Sequence, residues 1–284
     1  MQARLNASSQ RLLRKHIALP QQHGSWALWL GPYAVGVGVA GALNAGLAWV
    51  TLATLGAFLA LQPLTILVKV LAGRRPTTDR APALFWLAVY GGLIAIGAVG
   101  IAASGFGYVL PLGLIAAPVL VWQMALVHRH EERHNLWVEV AGAAVLALAA
   151  PAGYWVAGAA TEATPTGWLL WLLCALQSFG AIVYIYLRLA HRRLLRAPRW
   201  PARWRMALPS TTANGANVVI ATGLAMAGLI PVAAIAPFGL MLGEALYGGL
   251  WRIGVGVKPV VIGARQVIVT AVFSLLLILA YRVG

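Results

Sequence analysis

Residues 167–189 read GWLLWLLCALQSFGAIVYIYLRL, an apolar run with a single charge, Arg188, close to its C-terminal end. A transmembrane helix needs about 20 consecutive and predominantly apolar residues, so this run has the length of one crossing. A second run of the same kind covers residues 261–281. Because only helices and closed barrels satisfy the backbone inside a bilayer, two such runs predict a fold built from transmembrane helices.

The composition of the whole chain supports the same class of protein. The 284 residues are 61% hydrophobic and only 10% charged, whereas soluble domains carry about 25% charged residues. The mean hydropathy of +0.82 predicts a polytopic membrane protein. The net charge of +15 does not indicate nucleic-acid binding, because no basic stretch lies on a soluble domain of useful size. It indicates membrane topology and contact with anionic lipids, which are the expected partners.

Further apolar runs bring the predicted number of crossings to nine. Pro231 makes a tight turn between the seventh and eighth of them, and Pro237 breaks the start of the eighth, so a re-entrant pair with eight crossings in total is the alternative. The expected fold is an all-α, polytopic helical bundle, with residues 1–25 as a cytoplasmic tail and residues 26–284 as a single transmembrane domain. The nine predicted spans cover residues 26–43, 47–71, 82–103, 107–127, 135–157, 167–189, 212–230, 233–250 and 261–281.

The basic residues predict the orientation of this bundle. Of the 21 Lys and Arg residues, all but Arg282 fall in the N-terminal tail or near the connections that follow the even-numbered spans. The opposite connections, near Asn44, Gly105, Glu162 and Pro231, carry none. Because Lys and Arg are enriched in cytoplasmic loops, the sequence predicts a bacterial inner-membrane protein with its N-terminus inside and its C-terminus outside.

Polar side chains gather at the predicted cytoplasmic ends of the spans. On the sixth span, Gln177, Tyr184, Arg188 and His191 are spaced by seven, four and three residues and therefore form one continuous stripe. A polar stripe on an apolar membrane helix usually faces the interior of the bundle, so this stripe is the strongest indication of a site. On the second span, Gln62 shares a face with Lys69, for which snorkelling to the lipid head groups is the alternative.

The remaining polar residues have simpler alternatives. Three histidines lie in VHRHEERHN, residues 127–135, but no third ligand has a clear position, and a metal site is not expected. Glu139 suits either a helix N-terminus or a counter-ion for an arginine. Asn214 and Asn217 suit hydrogen bonds between helices. Glu244 lies roughly two turns from Arg252, which allows either an ion pair or snorkelling to the lipid head groups.

Together these side chains predict one cytoplasmic cavity, rich in cations and amides and poor in acids. Such a cavity suits a phosphate, a diphosphate or a carboxylate. The apolar interior above it suits an acyl, prenyl or quinone-like tail. The residues expected to line the cavity are Gln22, His23, Gln62, Lys69, Arg75, Arg129, Glu139, Tyr184, Arg188, His191, Asn214 and Asn217.

The segment PQQHGSWALWLGP, residues 20–32, resembles the signature of the YwiC-like family of bacterial membrane proteins, which begins with a Pro-Lys-Gln-His-Gly-Ala-Trp type motif. The resemblance continues through Pro63 and the Arg- and His-rich turn before the fifth span. It includes APAGYW at residues 150–155 and VKPVVIGARQ at residues 257–266. It spans most of the chain and implies a membrane protein without implying an activity.

A wider similarity is to the UbiA-type intramembrane prenyltransferases. These have nine helices, with loops after helices 2, 4 and 6 over a cavity in which two Asp-rich motifs bind magnesium and a prenyl diphosphate. In this chain no acid occurs in QPLTILVKVLAGRRP, residues 62–76, or in AIVYIYLRLAHRR, residues 181–193. The similarity therefore implies a UbiA-like bundle in which Lys69, Arg75 and Arg188 would bind the anion directly.

Three functions agree with these observations. The first is the binding of an amphipathic anion, such as a prenyl or lipid phosphate or a quinone-like molecule, by a divergent transferase or a binding protein. The second is the transport of a small anion. The third is a non-catalytic membrane subunit of a redox or pigment complex, for which the twelve tryptophans would provide contacts. The sequence identifies neither a cofactor nor a catalytic residue, so whether the protein is an enzyme stays open.

Overall fold

The computed structural model describes residues 14–20, 23–131 and 135–283, with only the backbone at His23. All regular elements in these ranges are helical, which confirms the predicted all-α class. Most of the predicted N-terminal tail lies outside the described ranges. Gln22 and three residues of the histidine-rich turn, 132–134, lie outside them as well.

Eleven α-helices follow one another in the described ranges. Short 3-10 turns at Thr77–Asp79, Gly107–Val109 and Val232–Ile235 precede three of them, and a π-helix over Tyr247–Trp251 follows another. The helices are α1 (Lys15–Ala18), α2 (His23–Ala40), α3 (Gly46–Leu71), α4 (Arg80–Ala103), α5 (Pro111–Arg129), α6 (Leu136–Leu146), α7 (Ala149–Ala157), α8 (Pro165–Arg192), α9 (Trp200–Met226), α10 (Ala236–Leu246) and α11 (Pro259–Val283).

Seven of the helical stretches are long and apolar enough to cross a membrane. They correspond to seven of the nine predicted spans, because the apolar run that sets the length of a crossing also sets the length of the helix. The chain is therefore a polytopic helical membrane protein, while the count of nine stays a prediction. The seven stretches are Gly46–Leu71, Thr77–Ala103, Gly107–Arg129, Leu136–Ala157, Pro165–Arg192, Val232–Trp251 and Pro259–Val283.

The other two predicted spans coincide with α2 and α9. Helix α9 begins at Trp200, twelve residues before the predicted start of the seventh span at residue 212. Arg199 is extended and Pro201 stands in the first turn, a position where proline supports a helix start. Residues 200–205, which are rich in Arg and Trp and precede the predicted seventh span, therefore form the first turns of a helix.

The fifth predicted span is divided in the structure into α6 and α7. The division falls at Ala147 and Leu148, directly before the segment AAPAG, residues 149–153, all of which is buried. Helix α2 packs against this segment so closely that a methyl group on Gly36 would overlap the carbonyl oxygen of Ala150. Small residues thus allow two helix backbones to approach each other, as is common in membrane bundles.

Helix α8 lies at the centre of the C-terminal half of the bundle. Leu170 and Leu173 on this helix are fully buried and belong to one core cluster with Phe238 of α10 and Phe273 of α11. The two phenylalanine rings meet edge to face, with 5.0 Å between their centroids. This apolar packing brings the last turns of α8 together with α10, the π-helix and the start of α11.

The predicted orientation can be tested by labelling single cysteines in intact cells. The native Cys174 is buried and is replaced by serine. Glu162 and Arg196 are both exposed and lie in connections on opposite predicted sides. Glu162→Cys should react with a maleimide that does not cross the membrane, whereas Arg196→Cys should react only after the cells are permeabilised. The reverse pattern would contradict the predicted orientation, and labelling of both in intact cells would contradict the predicted number of crossings between them.

Candidate functional site

The polar stripe of α8 ends in three buried side chains. Tyr184, Arg188 and His191 are 3%, 6% and 0% exposed. Their spacing places them on one side of the helix, where α8 meets the π-helix. Burial of a guanidinium group to this extent costs free energy unless the group is hydrogen-bonded or paired with a counter-ion.

Arg188 is held by backbone carbonyls of the π-helix and of the residue that follows it. Its Nη1 donates to the carbonyl oxygen of Gly248 at 2.8 Å and to that of Arg252 at 2.5 Å. A π-helix and the turn that follows it change the hydrogen-bonding register, so carbonyl oxygens become available to such a donor. Gly248 also permits a close approach, because a methyl group there would overlap the Tyr184 hydroxyl.

Glu244 and Arg265 form an ion pair beside Arg188. Arg265 donates from Nε and Nη2 to the two carboxylate oxygens of Glu244, both at 2.6 Å. The Tyr184 hydroxyl donates to Glu244 Oε1 at 2.9 Å. Such a two-pronged arginine–carboxylate contact is stronger than a single hydrogen bond and fixes both side chains. In the structure Glu244 pairs with Arg265, and it makes no ion pair with Arg252, which was one of the two possibilities that the sequence allowed.

A small cavity of about 80 Å³ lies between these groups. Three arginines surround it, and the one carboxylate beside them, Glu244, already binds Arg265. Three guanidinium groups against one carboxylate leave an excess of two positive charges, since arginine stays protonated in proteins. One water molecule takes about 30 Å³ in the liquid, so the cavity has room for a group of oxyanion size. Its lining consists of Tyr184, Arg188, Arg252, Val257, Val261, Ile262, Arg265 and Gln266.

The arginines around the cavity differ in how firmly they are held. Arg188 uses only Nη1 in its hydrogen bonds to the described residues, so Nε and Nη2 remain available to a ligand. Arg265 is fixed by Glu244. The Arg252 side chain is exposed and makes no hydrogen bond to the part of the chain that the structure describes. The cavity therefore combines two fixed cations with a third that can adjust its position.

The predicted site residues divide between this cavity and other places. Tyr184 and Arg188 line the cavity, whereas His191 is buried one turn further along α8 and does not line it. Neither ring nitrogen of His191 has a hydrogen-bond partner among the described residues. Asn214 and Asn217 donate to the carbonyl oxygens of Gly180 at 3.3 Å and Leu176 at 2.7 Å, so they connect α9 to α8.

Two other predicted residues, Arg75 and Gln62, make their contacts near α1 and the start of α4. Asp79 is 5% exposed and accepts hydrogen bonds from Arg75 at 3.0 Å and from Arg14 at 2.7 Å. Gln62 donates to the carbonyl oxygen of His16 at 3.0 Å. These contacts connect α1, α3 and α4 and occupy the side chains that the sequence assigns to an anion site.

The expectation of one shared cavity therefore needs a correction. Arg75 and Gln62 bind other parts of the protein, and half-buried Lys69 does not line the three-arginine cavity. Arg129 and Glu139 are exposed, and Glu139 accepts a hydrogen bond from Tyr186 at 3.0 Å. Gln22 lies outside the described residues, and the His23 side chain is not described. Arg75 is absent from the cavity because it pairs with the buried carboxylate of Asp79, and Gln62 because it binds the carbonyl oxygen of His16.

Three cavity residues were missed in the sequence. Arg265 counts there only as a loop charge, Arg252 as a loop charge and a possible partner of Glu244, and Gln266 has no assigned role. A signal was present, because Arg265 and Gln266 form a polar pair inside the otherwise apolar run that becomes α11. Gln266 is 6% exposed, and both atoms of its amide are buried without a hydrogen-bond partner in the described residues.

Fold and site together define a polytopic α-helical membrane protein with a small, partly exposed cavity that three arginines line between its C-terminal helices. Residues 19–154 match the family model described as YwiC-like protein, which confirms the YwiC-like resemblance over this segment. Neither the curated proteins nor the solved structures gave a match to the chain. The matched segment ends before α8 begins at Pro165, so the cavity lies beyond it.

Removal of the carboxylate of Glu244 should destabilise the fold. Glu244→Gln leaves Arg265 without its counter-ion, and we expect a loss of about 2–3 kcal/mol because the pair is only partly buried. The melting temperature of the detergent-purified protein provides the measurement. Glu162→Gln, at an exposed residue with no ion pair to the described residues, should not change it.

A double variant separates the ion pair from other effects. Replacing Arg265 by methionine in the Glu244→Gln background removes the unpaired charge and should restore part of the lost melting temperature. If Glu244→Gln melts at the wild-type temperature, the ion pair does not stabilise the protein.

Proposed function

We propose that the protein is a bacterial inner-membrane protein that binds an amphipathic anion, with the anionic group between Arg188, Arg252 and Arg265. The observation that carries this proposal is the excess of two positive charges around one small cavity. A charge excess inside an apolar bundle is costly, and an anionic ligand would neutralise it. The orientation predicted from the basic loops would place the cavity at the cytoplasmic side.

The chemistry of the cavity favours a phosphate or a carboxylate over a halide. A guanidinium group offers several N–H donors in a plane, which match the oxygen atoms of phosphate and carboxylate groups. Arg188 and Arg265 are fixed before a ligand arrives, so little conformational entropy is lost at these two side chains on binding. Arg252 is exposed and would close over the anion.

Apolar side chains in the lining of the cavity support an amphipathic ligand. Val257, Val261 and Ile262 line the cavity on the side formed by the start of α11. Val261 is 57% exposed on the surface of the bundle. An acyl or isoprenoid chain would leave the cavity along this side and enter the bilayer, while its head group stays with the arginines.

Binding is favoured here over prenyl transfer. Prenyl transfer with magnesium needs carboxylates that are free to hold the metal ion with the diphosphate. In the described part of the chain, Asp79 is held by Arg14 and Arg75, and Glu244 is held by Arg265. The arginines of the cavity would instead contact the anion directly, as the acid-poor sequence of the second and sixth spans suggests.

Arg252→Gln tests the proposal with little risk to the fold. The side chain is exposed and makes no hydrogen bond to the described residues, so the variant should fold like the wild type. Removing one of three cations should weaken the binding of hexyl phosphate about tenfold, measured by calorimetry on protein in nanodiscs of neutral lipid. Hexyl phosphate should also bind more tightly than inorganic phosphate.

Arg196→Gln is the matched control for charge. Arg196 is exposed, lies between α8 and α9 and does not line the cavity. Its removal changes the net charge equally and should leave the affinity unchanged. Equal losses in both variants would mean that the anion responds only to total charge, and the absence of binding to the wild type would overturn the proposal.

A further inference from the structure

Gln266 is an unusual member of the cavity wall. It lies near the start of α11, directly after Arg265, and is 6% exposed. Its amide nitrogen and its carbonyl oxygen are both buried, and neither has a hydrogen-bond partner among the described residues. Most buried polar groups in proteins are hydrogen-bonded, so an amide with both atoms unpaired needs an explanation. Its place in the cavity wall provides one.

We propose that Gln266 makes the cavity specific for an oxyanion that carries its own O–H group, as hydrogenphosphate does. The amide nitrogen would donate to an oxygen of the ligand, and the amide oxygen would accept the ligand's O–H. Because both atoms are unpaired, the argument does not depend on which way the amide is turned. This inference rests on the proposed anion binding and identifies the chemical class of the anion.

Other groups around the cavity are poorly placed to accept that hydrogen. Arginine side chains only donate hydrogen bonds. Both carboxylate oxygens of Glu244 accept from Arg265, and Oε1 also accepts from Tyr184. The Tyr184 hydroxyl donates to Glu244 and is packed against Gly248. Among the side chains that line the cavity, Gln266 is the one whose buried carbonyl oxygen has no hydrogen-bond partner in the described residues, so it is the acceptor most readily available to a proton on the ligand.

Charge alone would not distinguish hydrogenphosphate from sulfate. Both are tetrahedral dianions, and both match the excess of two positive charges around the cavity. Hydrogenphosphate has one O–H, whereas sulfate has none. With sulfate in the cavity the Gln266 oxygen would stay unpaired, and sites built to pair a hydrogen bond reject ligands that lack the matching group. Gln266 would therefore contribute the selectivity, and the arginines most of the affinity.

The test compares inorganic phosphate with sulfate at pH 7, by calorimetry on the full chain in nanodiscs of neutral lipid. The wild type should bind phosphate at least tenfold more tightly than sulfate. Gln266→Leu keeps the approximate size of the side chain and removes both polar atoms. It should weaken phosphate binding about tenfold, change sulfate binding less than twofold, and so bring the ratio close to one. Gln123→Leu, on α5, is the control and should keep the wild-type ratio.

A second pair of probes distinguishes a lipid head group from free phosphate as the source of the anion. Hexyl phosphate at pH 5.5 retains one proton, because a phosphate monoester loses its second proton near pH 6. Hexyl sulfate has the same chain and no such proton. Tighter binding of hexyl phosphate than of inorganic phosphate would indicate a lipid-like ligand, and the reverse order would indicate the free anion. Both outcomes support the inference if each phosphate binds at least tenfold more tightly than its sulfate counterpart, hexyl sulfate or inorganic sulfate.

The outcomes separate this inference from the proposed function. If no anion binds in a manner that depends on Arg252, the proposed function fails. If phosphate and sulfate bind equally well to the wild type, or if Gln266→Leu keeps their ratio, only the selectivity by Gln266 fails. The melting temperature without anion provides a further check. Removing an unpaired amide should maintain or raise it, whereas a fall of several degrees would assign Gln266 a structural role and overturn the inference.

Discussion

The cost of placing arginine side chains inside an apolar bundle determines the arrangement of the C-terminal helices. Arg188 and Arg265 lie on helices that are apolar enough to cross a membrane, where an unpaired cation is strongly unfavourable. The protein uses a different solution for each. Glu244 neutralises Arg265, while carbonyl oxygens of the π-helix and of the residue that follows it bind Arg188 without neutralising it. Positive charge is therefore retained in the interior, and the retained charge gives the cavity its chemistry.

The π-helix at Tyr247–Trp251 follows from the same constraint. A regular α-helix uses its carbonyl oxygens internally, and side-chain donors compete poorly for them. The change of register at the end of α10 provides acceptors for Arg188, and Gly248 lets α8 approach closely enough to reach them. Local irregularities of this kind are common at functional sites, where they orient particular backbone or side-chain groups. Here the irregularity fixes one guanidinium group beside the cavity.

Apolar run length predicts where the helices lie, but it does not predict which polar residues meet. The stripe of Tyr184, Arg188 and His191 follows from helical spacing alone, and its burial agrees with the expectation that it faces the interior. The sequence did not identify the partner of Glu244, because Arg252 is nearer in sequence whereas Arg265 is nearer in space. The separation of Gln62 from Arg188 also depends on tertiary packing, which composition and periodicity do not encode.

The YwiC-like segment and the cavity are connected through the packing of α2 on α11. Helix α2 lies within the matched residues 19–154, whereas α11 carries four of the residues that line the cavity. A methyl group on Gly31 would lie 3.0 Å from Cγ2 of Thr270, one turn beyond Gln266. At the other end of the contact, Arg282 donates to the carbonyl oxygen of Gly38 at 3.0 Å. Because α2 meets α11 along its length, the segment with the family signature supports the helix that carries Arg265 and Gln266.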